Sequence, residues 1–457
     1  MISGGKPPAT SQNGRKFGLF GVERSERGWV LAFGAVLLGN SLATQVSGIV
    51  AVSGFLNQVG VAQLIVVWAI DYALIMFLSG LESLVVDRFD RRQLIGWVSL
   101  GFGLLFVVLR LIFAFNAPSW LSYSLLYLVA DQQWLFFPLV FWLLAEDTCH
   151  ERQAERLFPF MSSLGFIGKI VGIALAAITP VLLPSFGVSA VDILDVNAVI
   201  YVFMYLVVRT RLTRLPAHSQ NVRHEDLRDR LLDGWQFVRK VPAFRYLAVS
   251  ILAMVACDIM LEFRFYAVSD TVFSTTSSYQ EFYSAYRLLF ALAGFAVEGF
   301  LARPVIFKLG LKNTFLILPI SALAGGVWML IAPGLASALG GMVLQKLPQS
   351  TIDETARKDL ETLVPPDRRG RVSILMDSYL FAAGSLIGCL LLGVVVVCEI
   401  ELHLPWLFYV YLAAAVVAAS CSLTFILRMR KSYEASLLSG WMARRKRASS
   451  VLDRLSF

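Results

Sequence analysis

The sequence has few charged residues and few of the side chains that build metal centres or disulfide frameworks. Charged residues make up 16% of its 457 residues, against about 25% in an average soluble domain. Its five cysteines form no CxxC pair and its four histidines are scattered, so we expect no metal site and no cofactor. The phosphate-loop, HExxH and GxSxG motifs are absent, and we expect no enzymatic activity.

Long apolar runs are what the sequence has instead. Hydrophobic residues make up 57% of the chain, and a run of about 20 such residues crosses the roughly 30 Å hydrocarbon core as a helix. We therefore predict an all-α integral membrane protein with 12 transmembrane helices in two six-helix halves. The predicted spans are 28–50, 61–83, 93–115, 119–145, 157–182, 187–208, 244–268, 279–302, 314–333, 335–357, 371–396 and 404–427.

Basic residues alternate between the two sides of this arrangement. The loops after odd-numbered spans contain no Lys or Arg, whereas the termini and the loops after even-numbered spans contain all of those outside the spans. Because Lys and Arg concentrate in cytoplasmic loops, both termini are predicted to be cytoplasmic. We expect a multi-pass protein of the plasma membrane, which is the inner membrane in a bacterium.

A long polar segment divides the chain at its middle. We predict a cytoplasmic tail at 1–27, a first half at 28–208, a linker at 209–243, a second half at 244–427 and a basic tail at 428–457. Within the linker, apolar residues recur at helical spacing, which indicates an amphipathic helix on the anionic cytoplasmic leaflet. It is either a tie between the halves or a regulatory docking site. We expect the bilayer and a small-molecule substrate as partners, no nucleic acid, and a monomer. The apolar positions are Leu227, Leu231, Trp235 and Val238.

Two segments are repeated at a similar spacing in the two halves. The segment DRFDRR at 87–92, between spans 2 and 3, has a weaker copy within PVIFKLGLKNTF at 304–315. GKIVGI at 168–173 in span 5 matches GSLIGC at 384–389 in span 11, and such paired small residues let helix backbones approach closely. A duplicated helical transporter has repeats of this kind. The residues that we expect to act in gating are Asp87, Arg88, Arg91, Arg92, Lys308, Lys312 and Asp377.

The segment DRFDRR resembles the signature that the major facilitator superfamily carries between spans 2 and 3, with Asp90 where glycine is more usual. Segments 141–172 and 350–377 look like the ATP/ADP-carrier-like branch, in which a proline-containing loop with a basic GR-like element precedes span 11. Pro366, Gly370 and Arg371 fit that pattern, as does Pro365. The resemblance implies the major facilitator fold and a carrier of nucleotides or related phosphorylated metabolites, working as an antiporter.

Ionisable residues also occur inside the predicted spans, where they are costly and usually face a cavity or a partner. The lysines and arginines are candidates to bind phosphate or carboxylate, and the acids to carry protons or to balance those cations. Ion pairing that only holds the bundle together is the open alternative. The candidates are Asp71, Asp131, Lys169, Asp258, Glu262, Arg264, Arg287 and Lys346.

Three functions remain open from the sequence. The first is secondary active transport of nucleotides or other anionic metabolites by alternating access. The second is proton-coupled export of cationic or amphipathic compounds, which is favoured because acids in the spans at least match the basic residues in number. The third is a non-transporting membrane scaffold or assembly factor, against which the charges at membrane depth argue.

Overall fold

A computed structural model describes residues 22, 23, 26–182, 190–213, 227–362, 364 and 366–455. The first half consists of six long helices, the last of which follows a short 3-10 turn and ends in a π-helical turn. Span 1 is Arg27–Gln58, span 2 Val61–Arg88, span 3 Arg91–Ala114, span 4 Ser119–Thr148, span 5 Glu151–Leu182, and span 6 Leu194–Val207 with Val208–Leu212.

The second half has more interruptions, because π-helical turns lie within spans 8, 10 and 11. A linker helix, Leu227–Lys240, precedes it. Span 7 is Pro242–Val272, and span 9 is Ile317–Ile331, which follows a short helix Leu311–Thr314. Span 8 is Thr276–Leu309 with its π-helical turn at Val297–Ala302, span 10 is Leu335–Glu361 with its turn at Gln349–Asp353, and span 11 is Pro366–Leu402 with its turn at Leu375–Tyr379. Span 12 begins at Phe408 in a helix that continues to Leu455.

Eleven helices among the described residues are long and apolar enough to cross a membrane. Span 10 is the exception, because Gln345, Lys346 and Gln349 lower its hydropathy within a continuous helix. It nevertheless packs along spans 7 and 9, so it completes the second half of the bundle. The predicted all-α fold with about 12 membrane-spanning helices is therefore confirmed, and the polar residues that weaken span 10 belong to the site described below.

The two halves repeat one packing pattern with an offset of six spans. Span 1 packs on spans 4, 5 and 6, and span 7 packs on spans 10, 11 and 12. Span 3 packs on spans 4 and 6, and span 9 packs on spans 10 and 12. Each half is thus built around its first helix, and this is the arrangement that a duplicated sequence predicts.

Glycines bring the central helices of each half close together. A Cβ atom on Gly168 would lie 2.3 Å from the backbone carbonyl oxygen of Leu38 in span 1. The equivalent atom on Gly384 would lie 3.0 Å from the carbonyl oxygen of Leu252 in span 7. Only hydrogen fits at these two positions without movement of a backbone, so the repeated small residues serve close helix crossings.

The halves meet at the end of the bundle formed by the loops after odd-numbered spans, which we call the outer end. The side-chain amide of Asn57, in the last turn of span 1, donates to the carbonyl of Ser274 at 2.8 Å, and Thr276 donates back to Asn57 at 2.6 Å. Deeper in the bundle, the rings of Trp68 in span 2 and Tyr266 in span 7 lie 6.0 Å apart. Polar and aromatic contacts therefore join the two halves at and below this end.

The linker helix docks against the second half. Val238 is buried in a cluster formed mainly by residues of spans 7 and 11, whereas Trp235 is half exposed. Asp233 pairs with Arg371, near the start of span 11, at 2.5 Å. The helix therefore has one face packed on protein and one face exposed. Two of its predicted apolar residues have side chains outside the described part, namely Leu227 and Leu231.

Candidate functional site

Seven of the eight ionisable candidates lie in one layer across the bundle. Each is about ten to fourteen residues from the outer end of its span, which corresponds to roughly 15–20 Å at 1.5 Å per residue. Spans 2, 4 and 7 supply the four acids and spans 5, 8 and 10 supply the three cations, so both halves contribute. The layer consists of Asp71, Asp131, Lys169, Asp258, Glu262, Arg287 and Lys346.

Lys346 is held by two carboxylates of span 7. Its ammonium lies 2.7 Å from Asp258 and 2.9 Å from Glu262. The two acids are four residues apart and therefore share one face of the helix. Asp258 is only 2% exposed, and its second oxygen has no hydrogen-bond partner in the described part of the chain. Lys346 is thus already neutralised, and its ion pairs tie span 10 to span 7.

Tyrosine hydroxyls continue this cluster toward span 8. Tyr266 donates to Glu262 at 3.2 Å, and its oxygen lies 3.1 Å from that of Tyr283. The guanidinium of Arg287 lies 5.8 Å from the ring centroid of Tyr283, in a cation–π arrangement. The acid cluster and Arg287 are therefore connected through two buried tyrosines rather than by an ion pair.

Arg287 reaches across to the first half. Its guanidinium donates to the side-chain oxygen of Gln45 in span 1, at 2.8 and 3.3 Å. Gln45 is neutral, and among the described residues no carboxylate lies within ion-pair distance of Arg287. A charge that is held by a neutral amide and aromatic rings keeps most of its attraction for an added anion.

Lys169 lies near Arg287 but on the other half of the molecule. It belongs to span 5, its side chain is exposed, and its charge interacts with those of Arg287 and Glu298 in span 8. In the part of the chain that the structure describes, Lys169 forms no ion pair or hydrogen bond. The charges of these two cations, one from each half, act on each other, and among the described residues no acid lies within ion-pair distance of either. We call Lys169 and Arg287 the cation pair.

An acid pair lies on the first half at the same depth. The carboxylates of Asp71 in span 2 and Asp131 in span 4 are within hydrogen-bonding reach of each other. The amide of Gln132 donates to Asp71 at 2.8 Å, and Asp71 is 1% exposed. Two carboxylates at this separation repel each other unless a proton lies between them. Such a pair can share one proton.

Arg264 lies apart from this layer. Its guanidinium packs 3.9 Å from the ring centroid of Phe408 at the start of span 12, and it lines a separate cavity nearer the outer end. Although Arg264 is only two residues from Glu262, a helix turns about 200° over that distance. The sequence grouped these two residues by proximity along the chain, and the structure separates them by helix face.

The gating candidates form ion pairs within their own halves. Arg91 lies 2.7 Å from Asp147 at the end of span 4, while Asp90 caps span 3 by accepting from the backbone N–H of Arg92 at 2.9 Å. In the second half, Asp377 contacts Lys358 and lies 3.3 Å from Arg357. The side chains of Asp87 and Arg88 are outside the described part. The gating role of all seven candidates stays a prediction.

The weaker copy of the segment closes its turn in a different way. Gly310 takes the place of Asp90 and has a left-handed φ of 73°. Of the two basic residues beside it, Lys308 is exposed and Lys312 lies on the short helix Leu311–Thr314. The second turn is thus made by a glycine backbone rather than by a carboxylate cap.

Sequence reasoning missed the neutral residues of the site. Gln45, Gln132, Tyr266 and Tyr283 contact the charged groups directly. Glutamines inside apolar runs are a usable signal, because an amide at membrane depth needs a partner. The tyrosines gave no such signal, since aromatic residues are common throughout this sequence.

Comparisons with solved structures identify the fold. The nucleoside transporter NupG matches with a TM-score of 0.62 over 88% of this chain and 98% of that one, at 14% identity. A bacterial homologue of the iron transporter ferroportin, in an inward-facing state, matches with 0.63 over 89% and 100%, at 14% identity. A bacterial homologue of the lysosomal transporter Spinster matches with 0.59 over 92% and 99%, at 15% identity.

These structural matches show that the chain has the all-α fold of major facilitator transporters. No family model and no curated protein matches the sequence. At such low identity the likeness establishes the fold alone. The closer resemblance to the ATP/ADP-carrier-like branch stays a prediction.

Proposed function

We propose that this chain is a secondary active carrier that moves a small anionic metabolite by alternating access. The observation that carries the proposal is the cation pair: Lys169 on the first half and Arg287 on the second lie at one depth, and no acid in the described part of the chain forms an ion pair with either. An unpaired cation at membrane depth is expensive. It is retained where a substrate supplies the counter-charge.

The position of the cation pair supports alternating access. An anion held by both residues bridges spans 5 and 8, which belong to opposite halves. Rocking of one half against the other then changes the distance between the two charges, and the substrate is released on the side that opens. The hydrogen bond from Arg287 to Gln45 keeps the guanidinium oriented toward the first half.

The number of charges favours a substrate with one or two negative charges. Lys346 contributes little, because Asp258 and Glu262 already neutralise it. A carboxylate or a phosphomonoester, including a nucleoside monophosphate, matches two cations. A nucleoside triphosphate brings more negative charge than the cation pair balances, and the neighbouring acids repel it.

Proton-coupled transport of a cationic or amphipathic compound is the second candidate. The acid pair Asp71–Asp131 favours it, because a carboxyl pair can take up a proton on one side of the membrane and lose it on the other. The same acid pair is compatible with proton coupling in the anion carrier. Only the identity of the substrate separates the two candidates.

Counterflow in proteoliposomes tests the proposal. Vesicles loaded with an unlabelled carboxylate, phosphomonoester or nucleotide are diluted into the same labelled compound, with no ion gradient. We expect accumulation of at least one monoanion or dianion and none of organic cations. Accumulation of cations alone supports the second candidate. No counterflow of any compound, from protein that reconstitutes folded, supports the scaffold function instead.

A further inference from the structure

A cavity of about 470 Å³ lies near the outer end of the bundle, away from the charged layer. It is formed between the start of span 2, the outer third of span 7, the end of span 11 and the start of span 12. One lining residue, Ile400, is 57% exposed, so the cavity opens at the perimeter of the bundle where lipid lies. The residues that matter below are Val61, Arg264, Val396, Glu399, Phe408 and Tyr411.

Two opposite charges line this cavity without pairing with each other, among mostly apolar residues that also include His403 and Tyr411. Arg264 stacks on Phe408, with 3.9 Å between the guanidinium carbon and the ring centroid, and its charge interacts with Tyr411 and Glu399. Among the described residues neither Arg264 nor Glu399 forms an ion pair. Opposite charges that face one cavity without contact leave room for a ligand that carries both signs.

The two charges lie at different depths. Arg264 is about eight residues below the outer end of span 7, or roughly 12 Å, and Glu399 is about three residues below the end of span 11, or roughly 5 Å. The cationic group is therefore the deeper one. In a glycerophospholipid the phosphate lies next to the glycerol and the headgroup amine extends outward, so negative charge is deep and positive charge is shallow.

We propose that this cavity binds the phosphoethanolamine headgroup of a bilayer phospholipid, with phosphate on Arg264 and ammonium on Glu399. Arginine binds phosphate oxygens through its paired N–H donors. A primary ammonium donates hydrogen bonds to a carboxylate, whereas the quaternary ammonium of phosphocholine has none to donate. Val61 and Val396 lie nearer the outer end than Arg264, so they line the headgroup, and the acyl chains extend from the phosphate into the surrounding bilayer.

The bound lipid contacts both halves. Val61 and Ala62 belong to span 2 of the first half, whereas the other lining residues belong to the second. The headgroup therefore occupies a junction between the halves at the end where they are joined. This places the lipid site apart from the cation pair, so its test does not depend on the substrate.

Native mass spectrometry of the delipidated full-length protein tests the site. The protein in detergent is titrated with dioleoyl-phosphatidylethanolamine, phosphatidylcholine and phosphatidylglycerol of the same chains, and with free phosphoethanolamine. We expect the ethanolamine lipid to bind at least about tenfold more tightly than the other two lipids. The free headgroup compound, which lacks the chains, should bind weakly. Equal binding of all three lipids contradicts the proposal, and so does tight binding of free phosphoethanolamine, which assigns the cavity to a soluble ligand.

Matched variants locate the binding. Arg264→Gln should reduce ethanolamine-lipid binding about tenfold, and Glu399→Gln should remove the preference over phosphatidylcholine. Glu401→Gln is the control, because Glu401 is exposed in the last turn of the same span and does not line the cavity. Unchanged lipid preference in Glu399→Gln overturns the proposal even if Arg264→Gln fails to fold.

Discussion

Two lysines at the same depth have opposite surroundings. Lys346 lies between Asp258 and Glu262, at 2.7 and 2.9 Å, whereas Lys169 is exposed and has no acid paired to it among the described residues. The sequence predicted both as substrate or ion-pair candidates, because their depth is readable from the apolar runs. Their partners come from other helices, and the sequence pattern alone does not assign them. We therefore expect the two lysines to fail in different ways.

Lys346→Gln should destabilise the protein. It leaves Asp258 and Glu262 buried without their cation, and breaking a buried ion pair by removing one partner costs about 3–5 kcal/mol. We expect a lower melting temperature in detergent and a substantial recovery in Lys346→Gln/Asp258→Asn, which removes one stranded charge. A single variant as stable as the wild type shows that the ion pairs contribute nothing and returns Lys346 to the list of substrate ligands.

At the scale of single elements, the close crossing of spans 1 and 5 depends on Gly168, which has no side chain. Gly168→Ala places a Cβ atom where the carbonyl oxygen of Leu38 would be 2.3 Å away, and the backbones must separate. We expect a loss of about 1–3 kcal/mol, as for other overpacked sites, seen as a lower melting temperature. Gly101→Ala in span 3 is the control, because that Cβ meets nothing within 4 Å. Equal melting temperatures for the two variants argue against a tight crossing.

The linker helix is an element whose existence was predictable and whose docking was not. Helical spacing of apolar residues predicted an amphipathic helix, and the structure has Leu227–Lys240. The pairing of Asp233 with Arg371 joins residues 138 positions apart, and no local pattern encodes such a contact. Gly234 is buried beside this ion pair, and a Cβ atom on Gly234 would lie 2.9 Å from the carbonyl oxygen of Arg371.

Asp233→Asn should loosen the linker helix from the second half. Hydrogen exchange of the Leu227–Lys240 amides is expected to accelerate by about tenfold, because a charged hydrogen bond worth roughly 1.5 kcal/mol is lost. Gln236→Asn, on the exposed face of the same helix, should leave exchange unchanged. If Asp233→Asn exchanges no faster than Gln236→Asn, the helix is held by its apolar contacts alone.

At the scale of the whole molecule, composition and hydropathy were enough to predict the class of fold. The apolar runs predicted the number of spans, and the repeated segments predicted two similar halves, because both signals are local in sequence. The composition of the site was predictable only in part. Depth in a span identified the charged layer, whereas the separation of Arg264 and the grouping of Lys169 with Arg287 follow from how the spans are rotated and packed.

The Lys/Arg distribution predicts the orientation of the whole bundle. In a variant without the five native cysteines, Leu402→Cys should react with a membrane-impermeant thiol reagent from outside intact cells. Phe89→Cys should react only after permeabilisation. Both residues are more than half exposed, so a permeant reagent should label both and serve as the control. The reverse pattern would place both termini outside and contradict the predicted topology.

The measurement that tests the central claim most directly is the affinity of purified protein for the anion identified by counterflow. Wild type, Lys169→Gln and Arg287→Gln are compared with Lys431→Gln, which removes an exposed cation distant from the layer. Loss of one charge-assisted contact is worth about 1.5–3 kcal/mol. We therefore predict at least about tenfold weaker binding for each site variant at an unchanged melting temperature, and no change for Lys431→Gln. Wild-type affinity in both Lys169→Gln and Arg287→Gln would contradict the account.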